Sequence, residues 1–262
     1  MRPIAHPDVV ALVLAAGQGT RMKSELAKVL HPMAGRPMLG WVLDTLQGLG
    51  VGRQLVVIGH QREQVRAAFA DMEVEWVVQA EQRGTGHAVL MAGAALESFG
   101  GTLLVVCGDT PLLRAKTLHE LLVGHQGSGA AVTVLSMRLP DPRGYGRILR
   151  SGAVEAGRPG PCLGIVEERD ASPEERRIDE VNSGIYAFHY PALVTVLASL
   201  TSRNSQGEYY LTDTVALLAR SGLPAAVVCA ADHRELLGIN TVEQLTEAES
   251  IYHHLHGAGP ER

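Results

Sequence analysis

Between Ala15 and Lys28 the chain reads AAGQGTRMKSELAK, small residues followed by cations, a combination suited to a polyphosphate. Ala15, Ala16, Gly17 and Gly19 carry little or no side chain, so a ligand can lie directly against main-chain N–H groups. Thr20, Arg21, Lys23 and Lys28 add a hydroxyl and three cations within reach of whatever those groups hold. Asp109, in VVCGDTP (105–111), reads in two ways. It is a cap for the following helix, with Pro111 near its start, or a Mg²⁺ ligand, since magnesium takes one or two protein oxygens and completes its shell with water and phosphate. Gln79 opens QAEQRGTGH (79–87) and offers both an amide donor and an acceptor, as reading the edge of uracil requires. The glycines of that segment also read as a loose helix start with Thr85 as its cap.

Two other phosphate motifs are excluded by spacing. No Lys-Ser or Lys-Thr follows Gly19 as a P-loop requires, and Met22 stands where the dinucleotide fingerprint needs its third small residue. A plain turn is the remaining alternative, and Arg21 with Lys28 argues against it.

These residues need elements to hold them. Val9–Leu14 is an unbroken apolar run, the pattern of a strand buried on both faces of a parallel sheet. After it the expected elements alternate. A helix opens at Pro37, carries Leu39, Val42, Leu43 and Leu46, and ends at Gly48 and Gly50; strands follow at 54–58 and 74–79 around a short helix at 63–69. A helix from Thr85 to Phe99, a strand at 102–107, a helix opened by a Thr117/Glu120 capping box and a strand at 131–137 complete the rhythm. This predicts an α/β fold with a Rossmann-like, doubly wound, mostly parallel sheet, with ligands at the carboxyl ends of the strands.

From Pro140 the rhythm changes. Gly and Pro between Arg143 and Pro161 suggest hairpins, followed by strands at 163–166 and 181–188 with a small helix opened by Ser172 and Pro173 between them. Helices at 190–200 and 212–219, a strand at 225–229 and a last helix from Thr241, capped with Gln244, end the pattern. The expected organisation is one domain over 1–262, with a nucleotide-binding half at about 8–139, a smaller sugar-binding lobe at about 140–240 and a C-terminal helix at about 241–256. His253, His254 and His256 read as a solvated tail rather than a metal site.

Bulk properties narrow the function classes. The 262 residues are 46% hydrophobic with a formal charge of −5, which gives no electrostatic case for nucleic-acid or anionic-membrane binding. Any anionic substrate must be met by local cations. Cys107, Cys162 and Cys229 make no CxxC or zinc spacing, no apolar run approaches a membrane span, and a cytoplasmic location is the default expectation.

LAAGQGTRM at 14–22, continuing to KVLH at 28–31, resembles the start of sugar nucleotidyltransferases. Among them it is most similar to the uridyltransferase domain of bacterial bifunctional enzymes that make UDP-N-acetylglucosamine. GYGR (144–147), IVEERDA (165–171), VNSGIY (181–186), GEYYLTD (207–213) and Gly238-Ile239-Asn240 resemble family segments in the same order. The resemblance implies that Leu14, Ala15, Ala16 and Gly17 line the nucleotide and that Gln79, Gly84 and Thr85 hold the base. It implies that Arg21 and Lys28 are catalytic, that Gly108 lies beside the substrate, and that Asp109 and Asn240 bind Mg²⁺, although Asn240 also reads as a cap of the last helix. Gly146, Glu167 and Asn182 are expected at the hexose and its acetamido group, with Glu208, Tyr209 and Tyr210 in support.

The implied reaction is uridylyl transfer from UTP to N-acetylglucosamine 1-phosphate, giving UDP-N-acetylglucosamine and pyrophosphate. Rivals are another pair such as UTP with glucose 1-phosphate, a molybdopterin or cytidylyl transferase, and a non-catalytic nucleotide-sugar-binding regulator. The sugar-side segments argue against the molybdopterin or cytidylyl transferase, and Arg21, Lys28 and Asp109 against the regulator. Ala27 departs from the proline usual before the lysine, and Cys107 from a frequent tyrosine. The hexapeptide repeat of the bifunctional enzymes is not seen, so no acetyltransferase activity is expected of this chain, and with the family's usual route to trimers gone the oligomeric state stays open, a monomer included.

Overall fold

The computed structural model describes residues 6–151 and 159–256. Strand β1 (His6–Ala15) lies in the middle of the parallel part of the sheet, between β4 and β6. Its side chains alternate between two cores: Val10 and Leu12 join one, Val9, Ala11, Val13 and Ala15 the other. That double burial is why the run is apolar at every position rather than at every second one.

In chain order, a small hairpin of β2 (Pro32–Met33) and β3 (Arg36–Pro37) leads into α1 (Met38–Leu49), β4 (Val51–Ile58), α2 (Arg62–Ala68) and β5 (Glu75–Val78). Then come α3 (Thr85–Met91), β6 (Thr102–Cys107), α4 (Ala115–Ser128) and β7 (Val132–Arg138). The later part contributes β8 (Arg147–Arg150), β9 (Gly160–Val166), β10 (Glu180–His189), α5 (Tyr190–Leu197), α6 (Asp213–Arg220), β11 (Ala225–Cys229) and α7 (Val242–His256). Apolar residues of α1 and α4 pack on one face of the sheet and those of α3, α5 and α6 on the other, giving three layers.

The sheet has nine strands in the order β5-β4-β1-β6-β10-β7-β11-β9-β8. Its main surprise is β10, which inserts antiparallel between β6 and β7. Tyr186 and Phe188 face one core and Val181, Ile185 and Ala187 the other, so β10 is as central as β1. One sheet thus runs through both halves of the chain.

Local departures have local causes. The expected helix from Thr85 to Phe99 stops at Met91 and tightens into a 3₁₀ turn at Gly93–Leu96, where glycine weakens the α conformation. The Thr117/Glu120 capping box does not form. Helix α4 begins earlier, at Ala115, and the buried Thr117 hydroxyl donates to Glu235. Ser172 and Glu175 do exchange capping bonds, but around a single 3₁₀ turn, Glu175–Arg177. The expected hairpin after Arg143 is β8 with β9; residues 152–158 between them lie outside the described residues. Helix α7 is capped as expected, with the Thr241 and Gln244 side chains bonding each other's main-chain N–H groups. It continues through His253 and His254, both exposed, instead of fraying into a tail; the His256 side chain lies outside the described residues. Among the described residues no helix is long and apolar enough to cross a membrane.

Helix α7 docks through a satellite core of Met33, Met38, Leu112, Ile239 and Ala248. Trp41 donates its indole N–H to Met33 at 2.8 Å and packs at a tilt against the Tyr252 ring, centroids 5.1 Å apart, while Glu249 accepts from the Ala34 N–H at 3.0 Å. This contact carries the late Gly238–Asn240 segment back to the sheet edge.

Candidate active site

The carboxyl ends of β1, β5 and β6 open onto a cleft of about 520 Å³. Leu14, Ala15, Ala16, Gly17, Arg21, Lys28, Gln79, Gly84, Thr85, Asp109 and Asn240 all line it, so residues expected at the nucleotide and metal from distant parts of the sequence converge. Gly17 lines the cleft and leaves it open: a Cβ there would meet no other atom within 4 Å, so packing alone does not require glycine at this position. Gly19 does something different. Its φ of +63° favours glycine, and a Cβ would sit 2.6 Å from the Lys28 Cβ, so only glycine lets the lysine close over the loop.

Lys28, at the start of a 3₁₀ turn whose Val29 and Leu30 are buried, pairs with Asp109 and donates to Asn240 Oδ1 at 2.6 Å. Arg21 donates to the same Asn240 oxygen at 2.8 Å. Asn240 is held for this task. Its side-chain N–H donates to Gly238 at 3.2 Å, turning the oxygen toward the cations, and its main-chain N–H donates to Gln244 Oε1 at 2.7 Å. Neither Asp109 nor Asn240 caps a helix with its side chain; α4 starts six residues after Asp109, at Ala115, and Thr241 caps α7.

Asp109 Oδ2 and Asn240 Oδ1 thus converge on one cationic atom, the Lys28 ammonium. Two hard oxygens focused on one point fit a magnesium-like ion whose remaining ligands are water and substrate phosphate. Among the described residues no group of three or more His, Cys, Asp or Glu is placed to hold a metal by itself.

On the base side, Gln79 is buried and its amide N donates to Gly84 at 3.1 Å and approaches His87 Nδ1 at 3.0 Å. The amide N–H₂ thus faces Gly84 and, in the tautomer that leaves Nδ1 unprotonated, is accepted by His87 as well. Gly84 and Gly86 have a packing role that the sequence did not announce. A Cβ on either would press on the Tyr209 backbone, at 2.6 and 3.0 Å respectively. That close approach lets Tyr209 donate to Arg83, Gly86 donate to Tyr209, and Leu211 donate to the Thr85 hydroxyl. The zipper brings Glu208 into the cleft lining.

Gly108 lies just behind the cleft wall, donating to Leu14 at 2.9 Å, with a would-be Cβ 3.2 Å from Ala15. Cys107 lines the cleft in its stead. Burial, with the Asp109 carboxylate nearby, pushes the Cys107 thiol up to about 12, so it is a neutral packing group. Gly146, Glu167 and Asn182 form a separate cluster: Asn182 donates its main-chain N–H to Gly146 at 2.8 Å, and a Cβ on Gly146 would stand 3.4 Å from Glu167 Oε2. Thr212 donates to Glu167 at 2.9 Å, and burial raises the Glu167 carboxyl above its usual range. Asn182 donates to the Tyr186 hydroxyl at 2.7 Å and accepts from Gly184 at 3.0 Å inside a bulge of β10. Cys107 joins the two clusters, its thiol meeting the Gly184 carbonyl at 3.6 Å.

Gln18, Gly19, Thr20, Val29, Gln82 and Ala88 complete the lining. Gly19 and Thr20 are legible in the glycine loop; for Gln18, Val29, Gln82 and Ala88 the sequence signal is only adjacency to the named residues, and nothing distinguishes Glu208 from a supporting turn.

A family model for MobA-like NTP transferase domains matches residues 11–158. Proteins named bifunctional protein GlmU are similar over nearly the whole chain: that of Pelobacter propionicus is 49% identical, over 93% of this chain and 52% of its own. That of Streptomyces avermitilis is 48% identical, over 92% and 49%; that of Thermobifida fusca is 47% identical, over 94% and 51%. The chain spans about half the length of the curated relatives it matches. A solved structure of a UDP-glucose pyrophosphorylase complexed with UDP-glucose aligns with a TM-score of 0.75 at 18% identity, covering 94% of this chain and 98% of that one. This shows the fold shared with nucleotide-diphospho-sugar transferases. With the glycine loop, the paired cations and the matched region in agreement, the chain belongs to the family of MobA-like NTP transferase domains.

Proposed function

We propose that the protein transfers a uridylyl group from UTP to N-acetyl-α-D-glucosamine 1-phosphate, releasing pyrophosphate. The observation that carries this reading is the convergence of Arg21, Lys28, Asp109 and Asn240 at the mouth of a glycine-lined cleft, in a chain 44–49% identical to proteins of that bifunctional name. In it residues from about 8 to 139 serve the nucleotide, joined by Glu208 and Asn240 from the later half, and the rest of about 140–240 serves the sugar, while the Gln79 carbonyl accepts from the base and Leu14–Gly17 lie along the nucleoside and phosphates.

The chemistry asks little of the protein in proton transfer. A phosphate monoester has its second pKa near ~6, so at neutral pH the attacking oxygen is already largely dianionic and needs no general base. What the chain must do is hold two anions together and point one at the α-phosphorus of the other, in line with the departing pyrophosphate. Arg21 stabilises the charge that develops on pyrophosphate, and Lys28 neutralises phosphate oxygens. Asp109 and Asn240 would hold Mg²⁺, whose chemistry is to polarise phosphoryl oxygens and offset the approach of like charges. Glu167 and Asn182, with the Gly146 main chain, read the sugar hydroxyls and acetamido group. Groups built to bond these reject sugars that lack them, because buried partners would be left unpaired.

Pyrophosphate release by the purified chain with UTP, N-acetylglucosamine 1-phosphate and Mg²⁺ tests the reading. Release that depends on all three supports it. Tight UDP-sugar binding without any release would establish a regulator instead.

A further inference from the structure

The two oxygens that fit a divalent cation are both held by cations of the protein itself. Lys28 pairs with Asp109 and donates to Asn240 Oδ1 at 2.6 Å, and Arg21 shares that oxygen at 2.8 Å. The Lys28 and Asp109 side chains are only 13% and 18% exposed, so water weakens the pair less than it would at the surface. At the two oxygens themselves, two cationic side chains face a single carboxylate, a poor place for a further, doubly charged cation.

We propose that Lys28 keeps the divalent cation out of the nucleotide-free protein, so that metal and nucleotide enter together. The inference rests on the nucleotide reading above and concerns the order in which that site fills. Lys28 is fixed at its base, with its Cβ against Gly19 and the following Val29 and Leu30 buried, so its ammonium is the part free to change partners. A triphosphate supplies several anionic oxygens. These draw Lys28 and Arg21 away from Asp109 and Asn240 and reverse the sign of the local charge, and the vacated protein oxygens then complete a shell begun by phosphate. Because coupling between two ligands is reciprocal, the metal strengthens nucleotide binding by the same factor.

The test uses Mn²⁺ as the probe, with free aqua-Mn²⁺ counted by electron paramagnetic resonance, on the full chain with and without α,β-methylene-UTP. With the Mn²⁺ held by the analogue alone subtracted, wild type is expected to bind Mn²⁺ at least tenfold more weakly without the analogue than with it. Lys28→Met, which keeps the stem and loses the charge, is expected to bind one equivalent of Mn²⁺ without nucleotide at least tenfold more tightly than wild type. Adding Asp109→Asn to Lys28→Met should abolish that binding. Lys28→Gln serves as a second neutral variant if Lys28→Met fails to fold by circular dichroism. Equal nucleotide-free Mn²⁺ affinity in wild type and the neutral variants overturns the proposal. Calorimetry of the analogue on wild type separates the two readings. Failure to bind it overturns the nucleotide assignment, whereas binding with equal Mn²⁺ affinities overturns only the role of Lys28.

Discussion

Ile239 donates its main-chain N–H to the carbonyl oxygen of Asp109 at 2.9 Å. The bond fastens the late Gly238–Asn240 segment to the end of β6, and it does so from a residue 1% exposed in the satellite core under α7. The distance between the two proposed metal ligands is thus set by packing of the C-terminal helix. Ile239→Ala should cost about 2–5 kcal/mol, the range for truncating a buried aliphatic side chain. It should also raise the Mg²⁺ concentration needed for half-maximal turnover. Urea melts and a Mg²⁺ titration check both effects; an unchanged metal requirement would separate the helix from the site.

Removing one preorganised charge from the reacting phosphates has a characteristic scale. Arg21→Ala and Asp109→Ala are each expected to lower kcat by about 10² or more. Steady-state kinetics of pyrophosphate release decide it, and near-normal kcat in either variant takes that residue out of the mechanism.

Gly19 holds a left-handed conformation against the Lys28 stem. Gly19→Ala adds backbone strain of about 1–2 kcal/mol and displaces Lys28. The expected result is a lower melting temperature and a KM for UTP raised by about tenfold, the equivalent of ~1.4 kcal/mol. A variant that melts earlier with unchanged kinetics would show that the loop tolerates the lysine elsewhere.

Burial raises the Glu167 pKa above its ordinary 4.5. Its contribution to stability is therefore fully present below about pH 4.5 and lost as pH rises through the folded-state pKa. Glu167→Gln, which retains an acceptor for Thr212, should resist urea better than wild type at pH 8, with the advantage vanishing near pH 4. Its partner test is catalytic: Glu167→Ala should lose far more activity with the N-acetyl sugar than with glucose 1-phosphate. Stability changes of the same size at both pH values, or equal losses with every sugar, would contradict the assignment.

The parallel half of the fold was legible because β1, β4 and β6 combine apolar runs with glycine or charged punctuation, and each precedes a loop or helix with the expected period. The insertion of β10 between β6 and β7 was not, because pairing order depends on contacts between segments about 40 residues or more apart and leaves no local mark. The same contrast holds in the site. Gly17, Arg21, Lys28 and Asp109 announce phosphate chemistry by type and position, whereas the constraint on Gly84 and Gly86 comes from the Tyr209 backbone, and Glu208 reaches the cleft only through that long-range zipper. By residue type Gln79 offers both a donor and an acceptor to a base. The structure engages its donor with Gly84 and His87, a detail that requires the folded loop.

The most direct measurement of the central claim is a one-pot competition. The chain is supplied with Mg²⁺, UTP, ATP, CTP, GTP and dTTP, and with the 1-phosphates of N-acetylglucosamine, glucose and glucosamine, and nucleotide-sugar products are resolved by mass. The account predicts UDP-N-acetylglucosamine as the dominant early product, formed in step with pyrophosphate. Dominance of another nucleotide–sugar pair would contradict the substrate assignment, and the absence of any nucleotide sugar would contradict uridylyl transfer itself.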